Sequence, residues 1–276
     1  MGMIDAHVHV WTDDLEGYPL AEGFVRSDMK PPTFTAEELF AHCRPVGVDR
    51  VVLIQMSFYG FDNSYMLDTI QRYPESLRGV AVVDHNRPDL GAELARLRAR
   101  GVRGLRVYQR TGDPLPMLED TSYAQLLGLA GELGLVVCPL IDPERIGAME
   151  RAAEAFPGTF FVIDHLGRVG ASGEICEADS AALLSPARLP NCLVKVSAFY
   201  ALGAKTPPHD DLAPLIHKVR DAYGAERMLW ATDCPYQVQS ERYEDSVALI
   251  RDRLDFLTEA EVAQVLCGTS ERLFFG

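Results

Sequence analysis

The chain has 276 residues, of which 47% are hydrophobic and 24% are charged, as in an ordinary globular protein. Its net charge of −14 argues against nucleic acid or an anionic membrane surface as a partner. No apolar run approaches the roughly 20 residues of a membrane span, and the chain enters a predicted strand at once without a signal peptide. The six cysteines form no C-x-x-C pair and are expected to be reduced, mostly buried thiols, which predicts a cytoplasmic protein.

The first predicted strand carries the strongest chemical signal. In the segment 3–11 (MIDAHVHVW), apolar residues alternate with Asp5, His7 and His9. Residues i and i+2 share a face of a strand, so His7 and His9 are expected to point the same way and to bind one ion. For this stretch taken alone, two ordinary core histidines are an equally good interpretation.

The elements that follow alternate along the chain. A capping box at Thr35 and Glu38 predicts a helix through about His42. Further helices are predicted at 63–73, 90–100, 123–133, 146–156, 212–223, 246–256 and 259–266, with a looser, partly helical stretch at 170–190. Strands are predicted at 51–54, 80–83, 105–108, 135–138, 160–165, 193–197 and 228–233. The long segment 12–32 is predicted to be a lid.

Eight short strands alternating with helices predict a parallel sheet with helical crossovers. Eight such units in about 250 residues are the size of a (β/α)8 TIM barrel, so the fold class predicted is α/β and residues 1–276 are assigned to one domain. A doubly wound open sheet is the alternative, but no G-x-G-x-x-G follows any predicted strand.

Polar side chains lie at the end of every predicted strand, where barrel enzymes place their active sites. Three histidines and one carboxylate, which suit zinc or a similar divalent ion, form the sharpest subset: His7, His9, His165 and Asp233. These can converge only if the sheet closes. Taken singly, His165 is better explained as a buried core histidine and Asp233 as a helix cap. Asp164 is predicted to point away from the side of the strand that carries His165 and to cap a helix.

Five segments together resemble the amidohydrolase-2 (amidohydrolase-related) family: 4–11 (IDAHVHVW), 161–167 (FVIDHLG), 191–197 (NCLVKVS), 227–235 (RMLWATDCP) and 268–274 (GTSERLF). They come in the family's order and span nearly the whole chain, with Thr269 where the family usually has Asn. The resemblance implies the amidohydrolase-superfamily barrel and a hydrolytic or decarboxylating site.

Within that family, the likeness is strongest to the lactonases that open 2-pyrone-4,6-dicarboxylate and sugar lactones, which share the V-I-D-H-L-G and W-x-x-D-x-P runs. The decarboxylase branch usually has a metal-binding His on strand five, and the segment 134–142 (GLVVCPLID) has none. A lactonase is therefore expected. A non-oxidative decarboxylase of an aromatic or unsaturated acid is the alternative, and a non-catalytic binding barrel is the weaker one.

For a lactonase, Asp233 is predicted to be the general base that takes a proton from water and later protonates the leaving alkoxide. His7, His9 and His165 would hold the water or polarise the carbonyl, with or without a divalent metal. Zinc is the expected metal. His165 is predicted to be a catalytic residue as well as a metal ligand. A small carboxylated or sugar-like molecule is the expected substrate, and the sequence is compatible with a homo-oligomer.

Residues at the other strand ends are predicted to bind the substrate. Arg106 is the candidate for a substrate carboxylate, and a wall ion pair with Asp84 or Asp142 is an equally good interpretation of it. Lys195 is predicted to aid the carbonyl, although a solvent-facing or ion-paired lysine is the alternative. The other candidates for the pocket lining are Gln55, His85, Tyr108 and Gln109.

Overall fold

A computed structural model describes residues 2–108 and 122–276. Eight parallel strands form one sheet in sequence order: β1 (Met3–Val8), β2 (Val48–Ile54), β3 (Leu77–Ala81), β4 (Val102–Tyr108), β5 (Val136–Leu140), β6 (Phe161–Ile163), β7 (Cys192–Val196) and β8 (Met228–Trp230). The ring closes just beyond β8, where the Asp233 N–H donates to the His7 carbonyl at 2.9 Å and the His9 N–H donates to the Cys234 carbonyl at 2.8 Å. The predicted (β/α)8 barrel is confirmed.

The helices pack on the outside of the barrel, where the first seven connect successive strands and the last two follow β8. Those within the described residues are α1 (Ala36–Cys43), α2 (Ser64–Arg72), α3 (Leu90–Ala99), α4 (Ser122–Glu132), α5 (Ile146–Ala155), α6 (Glu177–Leu184), α7 (Ala213–Tyr223), α8 (Tyr243–Ala248) and α9 (Glu259–Ala263). The last two continue into wider π-type turns at Leu249–Arg253 and Gln264–Gly268. Across the part of the chain that the structure describes, no helix has the length and apolarity needed to cross a bilayer.

Helix α1 begins at the predicted capping box. The Thr35 hydroxyl accepts a hydrogen bond from the Glu38 N–H at 3.3 Å, and the Glu38 carboxylate accepts from the Thr35 N–H at 2.6 Å. Two donors that the helix leaves without a partner are thereby satisfied, which favours a start at this residue.

The hydrophobic core has two layers because each strand is buried on both faces. Ile4, Val52 and Val136 belong to an inner cluster that fills the barrel, and Phe274 from the C-terminal turn packs against it. A larger outer cluster lies between the strands and the helices and includes Val51 and Leu94. Full burial of a side chain of this size stabilises the fold by roughly 1.5–3 kcal/mol.

The segment 12–32, predicted to be a lid, is attached to neighbouring loops. The Ala21 N–H donates to the Phe58 carbonyl at 2.8 Å, just beyond β2, and the Gln239 side chain donates to the Lys30 carbonyl at 3.1 Å, beyond β8. The segment therefore lies at the carboxyl end of the barrel, beside its mouth.

Candidate active site

A β-bulge in β1 brings His7 and His9 into the barrel. The pairing of β1 with β2 shifts register between Asp5 and Val8, so three steps along β1 match two along β2. Ala6 belongs to the inner core cluster and Val8 to the outer one, so the strict alternation expected from the sequence fails here. The extra residue lets His7 follow Ala6 into the interior, where His9 joins it.

Three donor atoms meet at the base of the site. His7 Nε2 and His9 Nε2 are 3.3 Å apart, and Asp233 Oδ1 lies 3.5 Å from the first nitrogen and 3.1 Å from the second. His165 Nε2 is 3.9 Å from the same carboxylate oxygen, and the His7 and His165 ring centres are 4.3 Å apart. The structure therefore brings together all four residues that the sequence proposed as metal ligands.

The Nδ1 atoms of the three histidines each have a different partner. His9 Nδ1 lies 2.8 Å from the Ile54 carbonyl, which can only accept a hydrogen bond, so Nδ1 carries a proton. His165 Nδ1 lies 2.9 Å from the Ser197 hydroxyl. His7 Nδ1 lies 3.4 Å from Asp164 Oδ1. These contacts orient the Nε2 atoms toward Asp233.

The chain turns sharply after β6, which corrects the prediction for Asp164. His165, Leu166 and Arg168 all have positive φ angles, between 52° and 58°, and Gly167 has a φ of 59°. Strand alternation ends at this turn, so Asp164 faces His7 and Lys195 while His165 also enters the site. Asp164 makes no side-chain cap, contrary to the helix-capping role that the sequence suggested.

Asp233 is held from both sides. Its backbone has a φ of 69°, a conformation that is uncommon for a residue with a side chain. Its Oδ1 faces the histidines, and its Oδ2 accepts a hydrogen bond from the Tyr200 hydroxyl at 2.7 Å. Burial raises the pKa of Asp233, but His165, His9 and His7 together outweigh burial and hold that pKa below its usual range. The carboxylate is therefore ionised at neutral pH.

Burial favours the neutral form of two of the histidines. Burial lowers the pKa of His7 well below its ordinary value, against the opposing effect of Asp164. Burial also lowers the pKa of His165, although Asp233 and Asp164 oppose it. Neutral imidazoles can bind a metal or hydrogen-bond a water without first losing a proton.

A cavity of about 510 Å³ opens above this cluster. His9, His165 and Asp233 lie on its wall together with loop residues that follow the strands. Three cationic side chains, Arg106, Arg168 and Lys205, also line it, although the chain as a whole carries a net charge of −14. The local field of the cavity therefore favours an anionic molecule.

Arg106 reaches the cavity as the sequence proposed. Its side chain donates to the Gln55 carbonyl at 3.4 Å, and among the described residues its buried Nε has no hydrogen-bond partner. Asp142, one of the two carboxylates considered as a wall partner for Arg106, instead lies 3.3 Å from Arg168 Nε.

Four other residues that the sequence proposed for substrate binding do not line this cavity. Lys195 is fully buried against Asp164, and the Gln55 side chain donates to the Asp62 carbonyl at 2.6 Å. His85 and Tyr108 line a neighbouring cavity of about 270 Å³. Gln109 lies outside the described residues.

Sequence reasoning missed several groups at the mouth of the barrel. Tyr200, Arg168, Lys205 and Tyr236 line the cavity, whereas no residue of the segment 12–32 does. All four lie in loops beyond the strand ends, so strand periodicity gives no signal for them. The basic Arg168, three residues after His165, is the one that the sequence could have indicated.

A closed barrel of eight parallel strands, with an ionisable cluster at the carboxyl ends of β1, β6 and β8, defines a barrel enzyme. The chain belongs to the amidohydrolase family, whose model matches residues 4–276, and is an enzyme of the hydrolase class. The resemblance stated from the sequence motifs is thereby confirmed.

Curated relatives and solved structures agree with that assignment. The chain is 30% identical to an L-fucono-1,5-lactonase of Burkholderia ambifaria, with 84% of this chain and 80% of that protein covered. It is 27% identical to a 2-pyrone-4,6-dicarboxylate hydrolase of Comamonas testosteroni, with 96% and 87% covered. A probable 2-pyrone-4,6-dicarboxylic acid hydrolase from Acinetobacter baumannii, crystallised with citric acid, has a TM-score of 0.83, 26% identity and full coverage of both chains.

Proposed function

We propose that this protein hydrolyses a lactone that carries at least one carboxylate. The observation that supports the proposal most strongly is the position of Asp233. Its ionised, buried carboxylate lies on the wall of a cavity that is also lined by three cationic side chains. Relatives of this chain are named for the hydrolysis of a sugar lactone and of a pyrone dicarboxylate. Opening such a ring requires a base for water and a polarised carbonyl.

Asp233 is the proposed general base. Its carboxylate lies on the cavity wall beside His9 and His165, so a water held by these groups faces a bound carbonyl carbon. The negative charge that develops on the carbonyl oxygen is stabilised by neighbouring donors and cations, of which Arg106 is the best placed on this wall. General-base assistance of this kind contributes roughly 10²–10⁴-fold to a rate.

The donor set fits a divalent metal. Donors about 2.0–2.1 Å from a tetrahedral zinc stand roughly 3.3 Å from one another, and the three atoms contributed by His7, His9 and Asp233 are 3.1–3.5 Å apart. His165 would complete the set, and its Nε2 forms a compact group with His7 and Asp233. A zinc ion held there would polarise the carbonyl and lower the pKa of a bound water.

The cations on the cavity wall favour a carboxylated substrate over a neutral sugar lactone. Arg168 presents its planar guanidinium beside Asp142, and Lys205 is anchored by a 2.7 Å hydrogen bond from Nζ to the Ala171 carbonyl. Arg106 offers a partly buried fork whose Nε has no hydrogen-bond partner within residues 2–108 and 122–276. A carboxylate bound bidentately by an arginine gains charge-assisted hydrogen bonds that a sugar hydroxyl cannot supply.

A panel of lactones tests the proposal directly. The purified protein is mixed with 2-pyrone-4,6-dicarboxylate, D-galactaro-1,4-lactone, L-fucono-1,5-lactone and an aromatic acid, and release of acid and of carbon dioxide is followed separately. Acid release from the carboxylated lactones, without carbon dioxide, is the expected result. Carbon dioxide release from the aromatic acid would favour the decarboxylase, and the absence of both products would contradict the proposed chemistry.

A further inference from the structure

The loop after β7 places a phenol next to the proposed base. Phe199 is buried in the core, and Ala198 before it has a φ of 56°, so the chain turns tightly as it leaves the barrel. Tyr200, the next residue, lines the cavity, and its hydroxyl donates to Asp233 Oδ2 at 2.7 Å. The phenol therefore contacts both the base and the space where the substrate would bind.

The two oxygens of Asp233 have separate partners. Oδ1 lies within 3.1–3.9 Å of the Nε2 atoms of the three histidines. Oδ2 is bonded by Tyr200. Rotation of the Tyr200 hydroxyl about its C–O bond moves its hydrogen from Oδ2 toward the cavity without displacing the ring, and leaves Oδ2 open to accept a proton.

Building on the proposed lactone hydrolysis, we propose that Tyr200 is a catalytic residue that protonates the leaving ring oxygen. As water attacks the carbonyl carbon, one water O–H bond breaks and its proton passes to Asp233 Oδ2. The bond between the carbonyl carbon and the ring oxygen then breaks with its electron pair on that oxygen, which takes the proton of the Tyr200 hydroxyl.

The cycle closes when the phenolate oxygen of Tyr200 recovers the proton held on Asp233 Oδ2. One water and one lactone have then become one hydroxy acid, and both side chains have returned to their resting protonation states. No oxidant or second reactant is required. Asp233 alone would otherwise have to carry the proton from the attacking water to the leaving oxygen.

The role of Tyr200 as a proton donor can be tested with lactones whose leaving oxygens differ in basicity. An alkoxide needs a proton as it leaves, whereas an enolate or a phenolate is stable enough to leave without one. We expect Tyr200→Phe to lower kcat by about 100-fold on D-galactaro-1,4-lactone, whose ring oxygen leaves as an alcohol. On 2-pyrone-4,6-dicarboxylate, whose ring oxygen leaves as an enol, the expected loss is less than about 5-fold.

Tyr236→Phe is the matched control, because Tyr236 lines the same cavity but its hydroxyl contacts Met56 Sδ at 3.8 Å instead of Asp233. It is expected to change both rates by a similar factor. Across all carboxylated lactones that the wild-type protein accepts, Tyr200→Phe should steepen the dependence of log kcat on the pKa of the leaving oxygen.

Equal losses on all lactones would mean that Tyr200 only orients Asp233, and unchanged rates would remove it from the mechanism; either result overturns the proposal. A melting temperature measured on each variant separates loss of chemistry from loss of fold. A wild-type protein that opens no lactone would instead overturn the proposed function on which this inference rests.

Discussion

Lys195 and Asp164 form an ion pair inside the barrel, with Lys195 Nζ 2.8 Å from Asp164 Oδ1 and both side chains fully excluded from solvent. Lys195 Nζ also lies 3.3 Å from His7 Nδ1. Burial raises the pKa of Asp164, but Lys195 and His7 outweigh burial and hold that pKa well below its ordinary value. The lysine predicted to bind substrate is thus part of the support for His7.

Removing Lys195 should destabilise the protein. Lys195→Met leaves the Asp164 carboxylate buried without its cation, which typically costs about 3–5 kcal/mol of unfolding free energy. The double variant Lys195→Met with Asp164→Leu removes both charges. Its unfolding free energy should fall by less than that of the single variant. Urea denaturation of the three proteins measures this order. A single variant as stable as the wild type would contradict the energetic importance of the pair.

Asp233→Asn should abolish most turnover while the fold survives. The two side chains are nearly isosteric, but an amide cannot accept a proton at neutral pH, so we expect kcat to fall by about 10²–10⁴-fold. Asp255→Asn, at an exposed position that does not line the active-site cavity, is the control. The measurements are kcat, metal content and melting temperature. A normal kcat with a lowered melting temperature would mean that Asp233 only stabilises the loop after β8.

Zinc affinity should depend on the strand-one histidines. We expect the wild-type protein to bind one zinc ion, and His9→Ala to weaken binding by more than about 100-fold, since loss of a ligand should exceed the 10–100-fold effect of losing an outer-shell partner. His217→Ala, an exposed histidine paired with Asp221, is the control. Calorimetric titration with zinc alone gives the affinity without an activity assay. Equal affinity in His9→Ala would exclude His9 from the metal site.

The cavity cations should govern recognition of the substrate carboxylate. Arg168→Gln removes one guanidinium, and loss of a charge-assisted hydrogen bond worth about 1.5–3 kcal/mol predicts a rise of about 10- to 160-fold in KM for a carboxylated lactone. A neutral lactone should show little change. Arg98→Gln, on the exposed face of α3, is the matched control. A similar rise in KM for both kinds of lactone would argue against carboxylate recognition by Arg168.

Asp5 should make stability depend on pH. Burial raises the pKa of Asp5 to about 6, although hydrogen bonds from Thr232, Tyr243 and the His7 N–H oppose burial. Because the folded pKa exceeds the unfolded one, this contribution to stability is full below about pH 4 and is lost as the pH rises through 6.

The comparison is with Asp5→Asn, which cannot titrate. Between pH 4 and 7, the unfolding free energy of the wild type should fall by about 2–3 kcal/mol relative to that of the variant. Urea denaturation at each pH measures the difference. A difference that stays constant, or that grows with pH, would contradict a raised pKa for Asp5.

The sequence by itself determined the barrel fold and the end of the barrel that carries the candidate active site. Apolar runs and helix caps are local patterns, so the alternation of strands and helices could be predicted from β1 to β8 and is confirmed. The same patterns mark where each strand ends, and parallel strands place those ends together. That is why His7, His9, His165 and Asp233 could be proposed as one cluster from their positions in the sequence.

Only the tertiary structure decided which way the side chains of that end point. The bulge between Asp5 and Val8 depends on the register of β1 with β2. The positive φ angles from His165 to Arg168 depend on how the turn after β6 packs. Strand periodicity cannot show either, because both are set by contacts with residues distant in sequence. For the same reason Lys195 turned out to pair with Asp164, and Tyr200 to reach Asp233 from a loop 33 residues away.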